Sequence, residues 1–322
     1  MTRPRIAVSS CLIGEPVRFN GGHSRDRFLT GALAAFVEWV PFCPEMALGL
    51  GTPRETLRLE DSPAGPRLMT RRSRVDLTGR MTALAEDRVG GLDVDGVDGV
   101  DGVDGYVFKA KSPTCGIHGI PRYPADGPPT DRRNRGVFAA AVIGAHPLLP
   151  VEDEGRLNDA LLRESFVERI FAHARLRELL GTDWRPRDLV AFHARHKMQI
   201  LAHDPVLYHQ AGRIVAGAGS RPRDDLARAY AATFRQALAE RATPGRNVNV
   251  LHHCMGMLAL DPLRRHDLLA VIDSYKAGLV PLSVPATLLR HHAHAEHADY
   301  VRDQSFFAPF PDALRLRNHV PA

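Results

Sequence analysis

Three of the four cysteines of this 322-residue chain lie within its first 115 residues, in short segments rich in glycine and proline. Cys11 stands in "SSCLIGEPVRFNGGH", Cys43 in "FCPEMALGLGTPRE" and Cys115 in "KSPTCG". A thiolate is a soft ligand, so three of them together suit an iron–sulfur cluster or zinc. The fourth cysteine, Cys254, stands apart in the helical pattern "LHHCMGML".

The residue types alone leave several interpretations of these cysteines open. They could be small buried side chains with no chemistry, or one could be a nucleophile and the others bystanders. A zinc site would need a fourth ligand, for which His23 or His118 is available. An iron–sulfur cluster of four irons normally takes four thiolates, so three would leave one iron open to a substrate atom.

The predicted secondary structure places the three cysteines at equivalent positions. Short apolar runs predict strands at Ile6–Ser9, at "VPFC" ending on Cys43, and at Tyr106–Ala110 just before Cys115. Helical spacing in "LTGALAAFVEWV", "RMTALAEDRV" and "RGVFAAAVIGAH" alternates with these strands. The pattern predicts an α/β domain with a mostly parallel sheet, and ligands of such sheets collect beyond the carboxyl ends of the strands.

The chain changes character near residue 155. Six segments beyond that point show three/four periodicity, and proline- or glycine-rich breakers separate them. One of these segments runs unbroken over residues 187–215. We therefore predict two domains, an α/β domain over residues 1–154 and an all-α domain over residues 155–322.

Composition excludes some classes of protein and leaves others open. The formal charge of +5 is a mild excess that permits a polyanionic partner without requiring one. No apolar run is long enough to span a membrane and the first residues do not resemble a secretory signal, so we expect a cytoplasmic protein. The tripeptide repeat "VDGVDGVDGVDG" at 94–105 matches no calcium loop, and we expect a surface loop there.

The three cysteine segments together resemble the signature segments of the thiouracil desulfidase family (TudS), in the same order, over residues 4–150. The helical half resembles the YbgA-type domain through "RESFVERIFAHARLREL", "FHARHKMQILAH" and "NVNVLHHCMG". The fusion of the two resembles the tRNA 4-thiouridine desulfidase branch (RudS). A longer connection at the tripeptide repeat departs from the family pattern.

This resemblance implies an enzyme that replaces the sulfur of a thiolated pyrimidine by oxygen without net redox and releases hydrosulfide. The family cofactor is a [4Fe-4S] cluster with one open iron, and its three ligands map onto Cys11, Cys43 and Cys115. The catalytic glutamate and serine of the family fall on Glu45 and Ser112. Glu45 would deprotonate the attacking water, and Ser112 would orient the base or the tetrahedral intermediate.

Plainer roles exist for the residues around this centre. Glu45 could pair with Arg54 or cap a helix, and Ser112 before a proline could simply form a turn. Further candidates for substrate contact are His23, Arg25 and Lys111.

In the helical half, cationic and amide groups suit contact with RNA phosphates. The candidates for contact with tRNA are Arg195, His196, Lys197, Arg246, Arg264 and Arg265. The histidine-rich segment 291–297 is interpreted as a solvated helix face.

Two alternatives to a tRNA desulfidase stay open. One is the same chemistry on free thiouracil or another small thiopyrimidine, with the helical domain serving stability. The other is a non-enzymatic RNA-binding or stress protein whose cysteines are structural. The sequence indicates no oligomeric state.

Overall fold

The computed structural model describes residues 3–63, 65–90 and 102–320. The chain divides into two compact units, Met1–Leu162 and Arg163–Ala322. No helix within the described residues combines the length and the apolar character needed to cross a membrane.

The first unit contains two four-stranded sheets. The first has the order β2–β1–β5–β8 and all its pairs are parallel. The second has the order β4–β3–β6–β7, with one parallel pair between two antiparallel ones. The strands are β1 (Arg5–Ser9), β2 (Glu38–Phe42), β3 (Leu57–Glu60), β4 (Arg67–Thr70), β5 (Gly105–Phe108), β6 (Ile120–Tyr123), β7 (Asp131–Asn134) and β8 (Val151–Asp153).

Helices complete the first unit. They are α1 (Pro44–Ala47), α2 (Thr78–Gly90) and α3 (Val137–Ala145), with 3-10 turns at Ser10–Leu12 and Arg156–Asn158 and a π-helical segment at Phe28–Leu33. The predicted α/β class with a mostly parallel sheet is confirmed, and the three strands expected before the cysteines are β1, β2 and β5.

One local prediction for the first unit was wrong, and one sheet was missed. The run "LTGALAAFVEWV" forms a short π-helical segment followed by β2, because Trp39 and Val40 pair with Ile6 and Ala7 of β1. The second sheet was not expected. Its β4 and β7, "RLMT" and "DRRN", contain arginines that hide the apolar alternation of a strand.

The tripeptide repeat falls mostly outside the described residues. Its last unit is described, and there the expected surface loop is wrong. Val103 and Asp104 are buried, and Asp104 Oδ2 accepts a hydrogen bond of 2.8 Å from the backbone N–H of Arg5. The end of the repeat therefore leads directly into β5.

The second unit is helical, which confirms the predicted all-α fold. Its helices are α4 (Ala160–Leu180, which begins just before the unit boundary), α5 (Pro186–His203), α6 (Pro205–Ala216), α7 (Arg223–Ala239), α8 (Pro244–Gly256), α9 (Pro262–Lys276), α10 (Ser283–Ala295) and α11 (Asp299–Arg302).

The single helical segment expected over residues 187–215 is two helices. Asp204 ends α5 and caps α6, since its Oδ1 accepts hydrogen bonds from the N–H groups of Val206 at 2.7 Å and Leu207 at 2.9 Å. Pro205 follows at the first helical position, where its missing N–H costs nothing.

The core of the first unit lies directly behind the cysteine loops. Tyr106 and Phe108 of β5 stack with ring centroids 3.8 Å apart, and Phe138 of α3 meets both rings edge-on. Cys115 belongs to the same apolar cluster. The aromatic packing thus fixes the strand that leads into the third cysteine loop.

Candidate functional site

The three early cysteines line one cavity at the carboxyl end of the parallel sheet. Pairing of Ser9 with Phe42 and of Val8 with Val107 ends the three strands at nearly the same level. The cavity has a volume of about 330 Å³, and its lining includes Cys11, Cys43, Glu45, Lys111, Ser112 and Cys115. The sheet therefore brings together side chains that are more than 100 residues apart in sequence.

The second cysteine loop places a carboxylate beside a thiol. Cys43 is the residue before α1, Pro44 occupies the first helical position, and Glu45 lies in the first turn. The Cys43 thiol donates a hydrogen bond to Glu45 Oε2, with a sulfur–oxygen distance of 3.4 Å. Burial and then the Glu45 charge raise the pKa of the Cys43 thiol to about 12.

The third loop is a tight turn that Ser112 holds together. Ser112 Oγ accepts hydrogen bonds from the N–H groups of Thr114 at 3.2 Å and Cys115 at 3.1 Å. The Ser112 carbonyl also accepts the N–H of Gly116 at 2.8 Å. The turn-forming role considered for Ser112 is therefore present.

Gly136 allows the backbone of the third cysteine loop to pack closely against the start of α3. A Cβ at Gly136 would stand 2.4 Å from the carbonyl carbon and oxygen of Thr114 and 2.9 Å from the Cys115 nitrogen. Gly136 directly precedes α3, so a side chain there would separate that helix from the loop. The loop and the helix fit only because this residue is a glycine.

All three thiols are in surroundings that oppose ionisation. Burial raises the pKa of Cys11 to about 11, although the nearby Lys109 ammonium acts in the other direction. Burial also raises the pKa of Cys115 well above its usual range, and the Glu45 charge adds to the effect. The Ser9 side chain hydrogen-bonds Cys115 and partly opposes this shift.

The donor set fits an iron–sulfur cluster better than a single metal ion. Among the described residues, no three Cys, His, Asp or Glu side chains converge closely enough to hold one ion. In a cluster each thiolate binds a different iron, so the ligands need only line a common cavity, as Cys11, Cys43 and Cys115 do here. The positive charge of the irons would also compensate the cost of ionising buried thiols.

Several lining residues did not emerge from the sequence. Lys109 forms an ion pair with Glu154, whose Oε2 accepts the Ala110 N–H at 2.7 Å. Ser9 Oγ accepts the Lys109 N–H at 3.0 Å. These contacts join β1, β5 and the segment after β8, and only the fold reveals them, because charged residues at strand ends are common in any sequence.

Two arginines and a phenylalanine form another part of the lining. The Arg18 guanidinium lies 5.6 Å from the centre of the Phe19 ring, and both residues line the cavity. Arg54, also in the lining, donates to the carbonyls of Val17 at 2.9 Å and Gly51 at 2.8 Å. The Arg54 guanidinium thus stabilises neighbouring loops through these carbonyls. The Glu45 carboxylate, considered earlier as a partner of Arg54, accepts a hydrogen bond from the Cys43 thiol.

Of the other three candidates for substrate contact, one lines the cavity and two do not. Lys111 lines the cavity, is exposed and has a left-handed backbone with φ of 61°. His23 and Arg25 are exposed and lie outside the lining of the cavity. His23 Nδ1 accepts the Arg25 N–H at 3.3 Å, and Arg25 Nε donates to Thr30 Oγ1 at 3.1 Å. Their expected role is not supported by these positions.

Two of the tRNA-contact candidates are poorly placed to bind a phosphate. His196 cannot offer a cation to phosphate, because it is buried, stacks on Phe192 at 3.9 Å, and has a pKa lowered to about 3 by burial. The Arg264 guanidinium is paired with Asp261 and Glu296.

The remaining tRNA-contact candidates differ in how open they are. Arg246 donates to the carbonyl of His203. Arg195 is exposed, Arg265 is half-buried, and the Lys197 ammonium lies 4.9 Å from the centre of the Tyr300 ring.

Comparisons with known proteins give the family. Residues 6–154 match the family model of 2-thiouracil desulfurase, and residues 197–311 match that of DUF1722, a protein family of unknown function. The protein YbgA of Escherichia coli K12, whose function is uncharacterised, is 30% identical over 158 residues, which are 48% of this chain and 94% of YbgA.

This chain belongs to the YbgA family. It fuses a domain of that kind to an N-terminal domain of the 2-thiouracil desulfurase family. A solved structure titled [4Fe-4S]-dependent thiouracil desulfidase TudS is 28% identical to this chain. The matched region makes up 48% of this chain and 94% of the chain in the solved structure, and the TM-score is 0.38.

We predict that Gly136→Ala destabilises the first unit and displaces the third cysteine loop, because the added methyl group meets backbone atoms that cannot rotate away. Overpacking of this kind typically costs about 1–3 kcal/mol. Gly144→Ala in α3 is the matched control, since a Cβ there meets nothing within 4 Å. It should be neutral or stabilising by up to about 1 kcal/mol.

Urea denaturation of both variants measures the difference. Equal stability of the two would show that the loop tolerates a side chain at Gly136.

Proposed function

We propose that this protein is a non-redox, [4Fe-4S]-dependent desulfidase of thiolated pyrimidines, and that its substrate is 4-thiouridine in tRNA. The observation that carries the proposal is the convergence of Cys11, Cys43, Cys115, Glu45 and Ser112 on one cavity. The match of residues 6–154 to the 2-thiouracil desulfurase model supports the same chemistry.

Cys11, Cys43 and Cys115 would hold the cluster. When bound, such a cluster supplies a Lewis-acidic iron that lacks a protein ligand and that suits the soft sulfur of a thiocarbonyl. As a cluster ligand Cys43 would be a thiolate, so Glu45 Oε2 would no longer accept the hydrogen bond that the thiol donates here. The carboxylate is then free to accept a proton from water.

Glu45 is the proposed general base. It takes a proton from the water that attacks the thiocarbonyl carbon, and a tetrahedral intermediate forms at that carbon. Collapse of the intermediate breaks the carbon–sulfur bond and leaves a carbonyl. The balance is thiocarbonyl plus water giving carbonyl plus hydrogen sulfide, which leaves as hydrosulfide and a proton, so no electron donor is needed.

Ser112 is proposed to donate a hydrogen bond to the pyrimidine of the substrate. Its oxygen already accepts two backbone N–H groups, so its hydroxyl hydrogen is directed away from them. That hydrogen can hold the pyrimidine ring or the intermediate in place. The same contacts let Ser112 keep the Cys115 loop closed.

The choice of tRNA over a free base depends on the helical unit. Arg195, Lys197 and Arg265 carry charges suited to RNA phosphates, and the fusion links them to the desulfurase domain. A base within tRNA would have to leave its stack to enter the cavity. Free thiouracil is the second candidate, because every residue that lines the cavity belongs to the segment matched by the desulfurase model, so a free pyrimidine needs no RNA-binding surface to enter it.

We predict that Glu45→Gln lowers kcat for hydrosulfide release from 4-thiouracil by about 10²–10⁴-fold, since an amide cannot take the proton of water. Glu55→Gln is the matched control: Glu55 also lines the cavity, but its carboxylate accepts hydrogen bonds from Ser73 and the Arg72 N–H. We expect its kcat to stay within about threefold of wild type.

The assay is anaerobic, with iron and sulfide measured on the same samples. Near-normal turnover of Glu45→Gln with a full cluster would remove Glu45 from the mechanism.

We predict that wild-type protein releases hydrosulfide from 4-thiouridine-containing tRNA with a higher kcat/KM than from free 4-thiouracil. The double variant Arg195→Gln/Lys197→Gln should lower kcat/KM for tRNA and reduce the salt slope of tRNA binding by about two, because two phosphate contacts are lost. Its turnover of free 4-thiouracil should be unchanged. Turnover of the free base with no activity on tRNA would assign the second candidate.

A further inference from the structure

The helical unit has a cavity of its own, which the proposed desulfidase chemistry does not use. It has a volume of about 520 Å³ and lies between α10 and the segment that follows Phe307. Pockets for small organic ligands fall in the same range of about 300–1,000 Å³. The cavity is therefore large enough for a ligand of nucleotide size.

One face of α10 forms a wall of this cavity, and apart from Ala286 its lining residues are polar. Positions i, i+4, i+7, i+8 and i+11 share one side of a helix. Here they are Ser283, Thr287, Arg290, His291 and His294, and each contributes to the lining. Such a stripe offers two hydroxyl groups, two imidazoles and a guanidinium, and it contains no carboxylate.

The opposite wall adds further cationic side chains. Arg302 and Arg317 line the cavity but are engaged, Arg302 with Asp299 and Asp303 and Arg317 with Glu164 and Glu168. Their charges are therefore largely compensated.

Arg315 lines the cavity as well, is exposed, and has a left-handed backbone with φ of 53°. A residue other than glycine in this conformation is uncommon, and such backbones concentrate at ligand sites.

Two arginines that line this cavity have no anionic partner among the residues that the structure describes. Within the described part of the chain, neither the Arg290 nor the Arg315 guanidinium lies within ion-pair distance of a carboxylate. Asp312 is the one acidic residue among the described residues that line the cavity, and it is exposed. Cations thus outnumber anions in a concave site, where their fields add.

The cavity offers more hydrogen-bond donors than a carboxylate ligand could accept. A carboxylate has two oxygens, whereas a phosphate ester presents three or four and pairs with guanidinium groups in a bidentate way. We propose that the cavity between α10 and the segment 307–318 binds the phosphate group of a nucleotide, either a free nucleoside monophosphate or a nucleotide of an RNA strand. Arg290 and Arg315 hold the phosphate. The polar side chains that line the cavity along α10, from Ser283 to His294 over about 16 Å of helix, supply hydrogen bonds to the rest of the nucleotide.

The test is calorimetric titration of the full-length protein with uridine 5′-monophosphate, inorganic phosphate and uridine. We expect uridine 5′-monophosphate to bind more tightly than inorganic phosphate, and uridine to show no binding to this site. The double variant Arg290→Gln/Arg315→Gln should bind uridine 5′-monophosphate about tenfold more weakly, because two charged hydrogen-bond donors are replaced by neutral ones.

Two variants serve as controls for charge and folding. Arg228→Gln removes an arginine of α7 whose side chain is 62% exposed and paired with Asp225, and it should bind like wild type. Arg290→Lys/Arg315→Lys keeps both charges and should retain part of the affinity. Circular dichroism of each variant confirms that its helices are intact.

The titration with thiolated tRNA distinguishes the two sources of phosphate. Weaker tRNA binding by Arg290→Gln/Arg315→Gln assigns the site to an RNA phosphate. Unchanged tRNA binding with lost nucleotide binding assigns it to a free nucleotide. An affinity for uridine 5′-monophosphate that is the same in wild type and in this variant overturns the proposal.

The proposal does not depend on the desulfidase chemistry. Hydrosulfide release from free 4-thiouracil should be the same in wild type and in Arg290→Gln/Arg315→Gln, so a failure of either proposal is recognisable by itself.

Discussion

The burial of three thiols at one end of a parallel sheet is the constraint on which the first unit depends. Each thiol has a raised pKa because its charged form would lose the solvation of water, and Glu45 worsens this for Cys43 and Cys115. Three thiolates and a carboxylate could coexist here only beside a strong positive charge. The irons of the proposed cluster would supply such a charge, so the thiols would lose their protons only on ligation.

The rest of the first unit holds this arrangement in place. Parallel pairing ends β1, β2 and β5 at one level, and the stacked rings of Tyr106 and Phe108 anchor the central strand. Ser112 closes the turn before Cys115, and the absence of a side chain at Gly136 lets α3 pack against that turn. Sheet, turn and helix thus position atoms that the sequence separates widely.

The sequence predicted this centre better than it predicted the details around it. Apolar runs that end at Cys43 or shortly before Cys11 and Cys115 indicated a shared sheet edge, and family resemblance marked Glu45 and Ser112. The second sheet was missed because arginines mask its strands, and the break at Asp204 was missed because helical periodicity continues through it. His196 was taken as a surface cation, but its stacking on Phe192 buries it, and periodicity does not distinguish the two.

The most direct measurement is the iron and sulfide content of anaerobically reconstituted protein with single alanine substitutions at each of the four cysteines. The wild type and Cys254→Ala should each hold about four irons and four sulfides, because Cys254 lies in the helical core. Cys11→Ala, Cys43→Ala and Cys115→Ala should each lose most of both. A wild type that binds zinc instead, or full iron and sulfide in all three of these variants, would contradict the account.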